Sequence, residues 1–91
     1  MNVKKGINEF YIGDSEETAL AEMGFVINED DVIVIEHTKV SEELSGKGIG
    51  KLILKDLVDW ARYENKKVKP VCPYAVAQME KNVEYHDLLV R

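Results

Sequence analysis

Three glycines at alternating positions form the segment of this sequence with the clearest chemical potential. Gly46, Gly48 and Gly50 lie in residues 45–51, directly before an apolar stretch with helical periodicity. Glycine exposes backbone N–H groups and lets another molecule approach the chain closely. A helix N-terminus adds the positive end of its dipole, which attracts phosphate. The segment therefore predicts a loop that holds the pyrophosphate of a nucleotide-bearing ligand, with a purely structural glycine turn as the alternative.

Two side chains outside this loop have reactive chemistry. Cys72 is the single cysteine, and the following Pro73 suits the first position of a helix, which places the thiol near an N-cap. A cysteine there is a candidate nucleophile; a small buried hydrophobic residue is the alternative. His37 is predicted to continue the strand face of Ile33 and Ile35. It is therefore either a base, acting on an ammonium group or on Cys72, or a histidine of the core.

The hydrophobic periodicity predicts the elements that position these groups. Alternation predicts strands over 7–12, 19–27 and 32–40, joined by short turns as an antiparallel meander. A helix over 48–64 and a fourth strand over 68–72 form a right-handed crossover, which makes strands three and four parallel. Short helices follow over 74–81 and 83–89. The prediction is one α/β (α+β) domain over residues 1–91, with a four-stranded twisted sheet, the long helix on one face and the C-terminal helices at the other side or edge.

In the second predicted strand, every other residue should face the core. This set consists of Ala19, Ala21, Met23, Phe25 and Ile27.

Charge and composition narrow the possible functions. The net charge is −5, but residues 1–44 carry −8 and residues 45–70 carry +4. An acidic chain is a poor candidate for binding nucleic acid, whereas the positive block around the glycine loop favours a phosphate ligand. Without a signal-peptide pattern or an apolar run long enough for a bilayer, we expect a cytoplasmic protein with no membrane partner. The lone cysteine excludes an internal disulfide, and no residue spacing suggests a metal site.

The loop departs from the two best-known phosphate motifs. A Walker loop needs glycine at position 45 and Ser or Thr at position 52, where this chain has Ser45 and Leu52. A dinucleotide-binding fingerprint needs a third glycine at position 51, which is Lys51.

The strand over 32–40, the glycine loop and the following helix together resemble the core of the GNAT superfamily of acetyl-CoA-dependent N-acetyltransferases. The signature of that superfamily is Arg/Gln-x-x-Gly-x-Gly/Ala. Nearly the whole chain is similar to its minimal members, which lack the early helices of full-size enzymes. The shared features are the run Glu36-His37-Thr38, the cysteine after strand four and a tail like residues 81–89.

This sequence departs from the superfamily pattern at three positions. Ser45 stands where Arg or Gln is usual, and Val83 replaces a frequent proline. Met79 lies where larger members tend to place a tyrosine acid.

The resemblance implies roles for individual residues. The amides of residues 46–51 would bind the pyrophosphate of coenzyme A, strand residues 37–40 would pair with its pantetheine arm, and Tyr85 would pack against it. The residues that it assigns to the cofactor are His37, Thr38, Lys39, Val40, Ser45, Gly46, Lys47, Gly48, Ile49, Gly50, Lys51, Cys72 and Tyr85.

The function implied is acetyl transfer from acetyl-CoA to an amine acceptor, either a small molecule or a peptide, with Cys72 and His37 as the catalytic residues. One alternative is a non-catalytic CoA-binding or regulatory module, which the missing tyrosine favours. Another is a protein-interaction domain with an ordinary glycine turn.

Overall fold

Five strands and two α-helices form the fold in the computed structural model, which describes residues 2–91. In chain order they are β1 (Lys4–Lys5), β2 (Glu9–Ile12), β3 (Ala21–Ile27), β4 (Ile33–Val40), α1 (Ile49–Tyr63), β5 (Val68–Pro70) and α2 (Pro73–Lys81). Single 3₁₀ turns cover Glu42–Leu44 and Val83–Tyr85.

The sheet follows chain order, β1-β2-β3-β4-β5. Strands β1 to β4 pair antiparallel, and β4 pairs parallel with β5 across the connection through α1. The meander, the crossover and the mixed α+β class are therefore confirmed. The sheet has five strands rather than four, because Lys4 and Lys5 add a short edge strand whose two exposed lysines give no alternation to detect. Lysine on an edge strand also discourages pairing with another chain.

Both helices pack on one face of the sheet. Phe10 and Phe25 point to this face and surround Trp60 of α1, with ring centroids 5.7 and 5.4 Å from it. Ala75 and Met79 of α2 are fully buried in the same cluster. Of the two expected places for the C-terminal helices, the other side is wrong, because α2 packs on the face that carries α1. The edge agrees, because α2 contacts β4 and the edge strand β5.

The opposite face of the sheet, here called the open face, has no helix packed on it within residues 2–91. Its side chains alternate with the buried ones and are half-buried or exposed. They include Glu22, Val26 and Val34.

A β-bulge changes the alternation in the middle of β4. Phe25 pairs with Ile35, but the preceding Gly24 pairs with His37, so Glu36 is the extra residue. Because each further residue changes sides, Thr38 continues the face of Ile35, and His37 lies on the open face. The expectation that His37 continues the Ile33–Ile35 face is therefore wrong.

In β3, Ala21, Met23 and Phe25 are buried as predicted. Ile27 is 45% exposed because it is the last residue of the strand, and Ala19 precedes the strand's start.

The C-terminal segment completes the far edge of the sheet. The predicted helix over 83–89 is one 3₁₀ turn, after which the chain runs beside β5. Val68 donates to the Leu88 carbonyl and accepts from the Val90 N–H, both at 2.8 Å. Strand pairing therefore replaces the last part of the predicted helix. No helix of residues 2–91 combines the length and the apolarity needed to cross a membrane.

Candidate active site

The loop before α1 owes its shape to glycine. Gly46 and Gly48 have φ values of 78° and 70°, in the left-handed region that other L-residues rarely adopt. A Cβ atom added to either would meet no atom within 4 Å. The backbone conformation, and not crowding, therefore requires glycine at these two positions.

Gly50 has a different reason to be glycine. A Cβ atom at this position would lie 2.5 Å from the hydroxyl oxygen of Tyr74, in the first turn of α2. The two helices therefore meet closely at their N-terminal ends. Burial raises the pKa of Tyr74, which keeps its hydroxyl neutral and able to donate.

Most backbone N–H groups of the loop have no acceptor within residues 2–91. Ser45 donates to the Glu42 carbonyl at 3.1 Å, and Leu52 donates to the Gly48 carbonyl at 3.2 Å. Between them, none of the six N–H groups of residues 46–51 donates a hydrogen bond within the described chain, residues 2–91. Six donors at the positive end of a fifteen-residue helix form a potential anion site.

A cavity of about 460 Å³ lies beside these donors. Its walls come from β4, the glycine loop and both helices. It is lined by Thr38, Val40, Leu44, Ser45, Gly46, Gly48, Ile49, Gly50, Lys51 and Tyr74. Cavities of this size are typical of small-molecule sites.

Strand β5 leaves β4 at the mouth of this cavity. The Ile35 carbonyl accepts hydrogen bonds from the N–H groups of both Val71 and Cys72, at 2.9 and 3.3 Å. These are the last backbone bonds between the two segments within residues 2–91. The remainder of β4 therefore has a free backbone edge.

The orientation of that free edge follows from strand geometry. Ser41 donates to the Leu20 carbonyl, so its backbone points toward β3. Because neighbouring residues of a strand point their N–H and C=O groups to opposite sides, those of Thr38 and Val40 point away from β3. An extended ligand in the cavity could pair with these groups as an added strand does.

Cys72 caps α2 at the border of the same cavity. Its sulfur accepts a hydrogen bond from the Ala75 N–H at 3.4 Å, as expected for the predicted N-cap. The sulfur also lies 3.3 Å from the hydroxyl oxygen of Thr38, which lines the cavity. Cys72 is 8% exposed, so its sulfur lies just beneath the surface.

His37 lies on the open face, away from the thiol. Its Nε2 atom forms a 3.1 Å hydrogen bond with the carboxylate of Glu22. The polar partners of the Cys72 sulfur within residues 2–91 are Thr38 and Ala75, so the structure does not pair His37 with the thiol.

The other residues assigned to the cofactor are dispersed. Lys39 lies opposite Glu22 on the open face, and Lys47 is exposed outside the cavity lining. Tyr85 lines a second cavity of about 100 Å³ between the helices, which shares Lys51 with the first. Burial is the main cause that raises the pKa of Tyr85. The sequence did not predict two of the lining residues, Leu44 and Tyr74. Only the contact with Gly50 places Tyr74 there. Within residues 2–91, no three His, Cys, Asp or Glu side chains are grouped as a metal site requires.

Comparison with known families and structures identifies the fold. The sequence model of the family described as GCN5-related N-acetyl-transferase matches residues 9–88. The chain belongs to this family. The GNAT resemblance inferred from the glycine loop, the histidine strand and the cysteine is thereby confirmed.

A solved structure agrees with this assignment. The NMR solution structure of a GCN5-like protein from Staphylococcus aureus is 43% identical in sequence, with a TM-score of 0.82. The similarity covers 98% of this chain and 87% of that one. A comparison with curated protein sequences finds no match.

Proposed function

We propose that this GNAT protein binds acetyl-CoA in the cavity at the start of α1 and transfers the acetyl group to an amine. The observation that carries the proposal is the set of six N–H groups in residues 46–51 that donate no hydrogen bond within residues 2–91. They lie at one end of a cavity whose other border leads along β4 to Cys72.

The residues present fit the chemical parts of acetyl-CoA. The free amides and Lys51 suit a diphosphate, and the backbone groups of Thr38 and Val40 suit the amides of a pantetheine arm. Ser45 lacks the long side chain with N–H donors that Arg or Gln would supply at this position, but the backbone amide donors do not depend on that side chain.

Acetyl-CoA supplies an activated acetyl thioester, and the protein would hold it and move a proton. In the overall reaction a bond forms between the acceptor nitrogen and the acetyl carbon, and the carbon–sulfur bond breaks. His37 would take the proton from the acceptor, and the departing sulfur would gain one to leave as a thiol. Because His37 lies on the open face, we assign it to an amine that arrives there and not to the activation of Cys72.

Cys72 offers a second route through the same site. Its sulfur could take the acetyl group by thioester exchange and then release it to the amine. The hydrogen bond from Ala75 would support the negative sulfur in that exchange.

The first test is calorimetric titration of the protein with acetyl-CoA and with CoA. Absence of binding at millimolar ligand would refute the proposal. The second test incubates the protein with acetyl-CoA and a panel of amines and follows products by mass spectrometry. Binding without turnover would identify a non-catalytic CoA-binding module instead.

Variants distinguish the two routes. Direct transfer predicts that His37→Ala loses turnover and that Cys72→Ser retains it, whereas the acyl-cysteine route predicts loss in Cys72→Ser and an acetylated wild-type protein. His86→Ala is the matched control, because the His86 Nε2 lies 2.8 Å from the Glu80 carbonyl oxygen in the C-terminal segment.

A further inference from the structure

We propose that Glu22 is a positioning residue that fixes the tautomer of His37, so that Nδ1 is the nitrogen that accepts a proton. This inference rests on the proposed role of His37 as a base. It goes further by assigning the reacting atom and the residue that selects it.

Two residues on the open face of β3 hold the imidazole in place. The bulge at Glu36 pairs His37 with Gly24, and a Cβ atom on Gly24 would overlap the imidazole ring. The absent side chain therefore makes room for the ring against the strand. Glu22, two residues earlier on the same face, reaches the Nε2 atom at 3.1 Å.

The chemistry of this hydrogen bond determines the tautomer. An ionised carboxylate only accepts hydrogen bonds, so a neutral imidazole beside it must carry its proton on Nε2. Nδ1 then keeps its lone pair, and no hydrogen bond to it occurs within residues 2–91. When Nδ1 takes a proton, Nε2–H keeps its hydrogen bond to the Glu22 carboxylate.

The environment of the pair supports a functional role. The side chain of His37 is 53% exposed, so a molecule from solvent can reach it, whereas that of Glu22 is only 22% exposed. A half-exposed ion pair contributes little to stability. Its loss should therefore alter the chemistry of His37 far more than folding.

Other charged groups lie near this pair. Glu9 of β2 interacts electrostatically with both Glu22 and His37, and burial is the main cause that raises its pKa. Lys39 pairs opposite Glu22 on β3, Glu36 precedes His37, and Lys69 of β5 lies beside Val34. All of these remain when Glu22 is replaced, so the effect of its own carboxylate can be isolated.

The direct test is long-range ¹H–¹⁵N NMR of the His37 ring, recorded without any ligand. The wild type should show a protonated Nε2 and an unprotonated Nδ1 in the neutral form. Glu22→Gln should mix the two tautomers, because an amide can donate as well as accept. A wild-type ring protonated on Nδ1, or an unchanged spectrum in Glu22→Gln, would overturn the inference.

Kinetics supply the second readout. A positioned general base typically accelerates a reaction about 10²–10⁴-fold. We expect Glu22→Gln to lower kcat by roughly tenfold to hundredfold and to leave KM for acetyl-CoA unchanged. Glu36→Gln is the control and should leave kcat unchanged; an equal loss there would contradict the assignment. If no amine is turned over, the proposed function fails, while the NMR result still decides the role of Glu22.

Discussion

Replacing Gly48 by alanine tests whether the shape of the glycine loop serves ligand binding. Gly48 has a φ of 70° and is the N-cap of α1. An alanine there would pay roughly 1–2 kcal/mol for the left-handed conformation. A Cβ atom would meet nothing within 4 Å, so this backbone strain is the whole direct cost.

The strain can be relieved in two ways, and each has its own signature. If the loop keeps its conformation, the free energy of unfolding falls and CoA affinity is unchanged. If the loop relaxes in the absence of CoA, the free energy of unfolding is retained. CoA binding must then restore the strained conformation, which lowers the affinity. The N–H groups of residues 46–51 donate no hydrogen bond within residues 2–91 that would hold the loop in this conformation. We therefore expect relaxation and a loss of about 5–30-fold in CoA affinity, equivalent to about 1–2 kcal/mol.

Calorimetric titration with CoA and urea unfolding of the same samples measure both quantities. Gly48→Asn is the matched control, since asparagine tolerates the left-handed region and should lose less affinity. The reasoning would be refuted if Gly48→Ala had wild-type affinity and wild-type stability, or if asparagine were as damaging as alanine.

Two further predictions concern stability. Cys72→Ala should lower the free energy of unfolding by about 1 kcal/mol, because the acceptor for the Ala75 N–H is lost. Cys72→Ser should keep most of the wild-type stability, since its hydroxyl can accept the same hydrogen bond. Equal urea midpoints for the two variants would disprove the cap. The hydrogen bond from Arg62 holds the pKa of Asp87 below its ordinary 3.8. The stabilisation of the fold by ionised Asp87 is therefore present above about pH 4 and is lost as the pH falls further. The melting temperature of wild type should therefore exceed that of Asp87→Asn at neutral pH. The difference, followed by circular dichroism, should shrink as the pH falls below 3.8. A constant difference would contradict the assignment.

Local sequence patterns correctly predicted the features that adjacent residues determine. The position of Cys72 at the N-cap of α2 followed from the proline after it, and the start of α1 followed from the glycines before it. The crossover that makes β4 and β5 parallel followed from chain order and handedness alone.

The failures concern features that local sequence does not encode. Glu36 looks like an ordinary strand residue, and its role as the extra residue of a bulge depends on the pairing of β3 with β4. That one residue reversed the predicted face of His37. The contact of Tyr74 with Gly50 joins two helices distant in sequence, so no periodicity could show it. The strand-like pairing of residues 88–90 depends on the free edge of β5 rather than on their own composition.

Because both helices pack on one side of the sheet, only the backbone of β4 separates the helical side from the open face. On the proposed function, the acyl donor would enter from the helical side and the amine from the opposite side. Two reactants with separate entrances need not displace one another, so either can bind first and both can be present together. Steady-state kinetics of the direct route should then give intersecting lines in double-reciprocal plots.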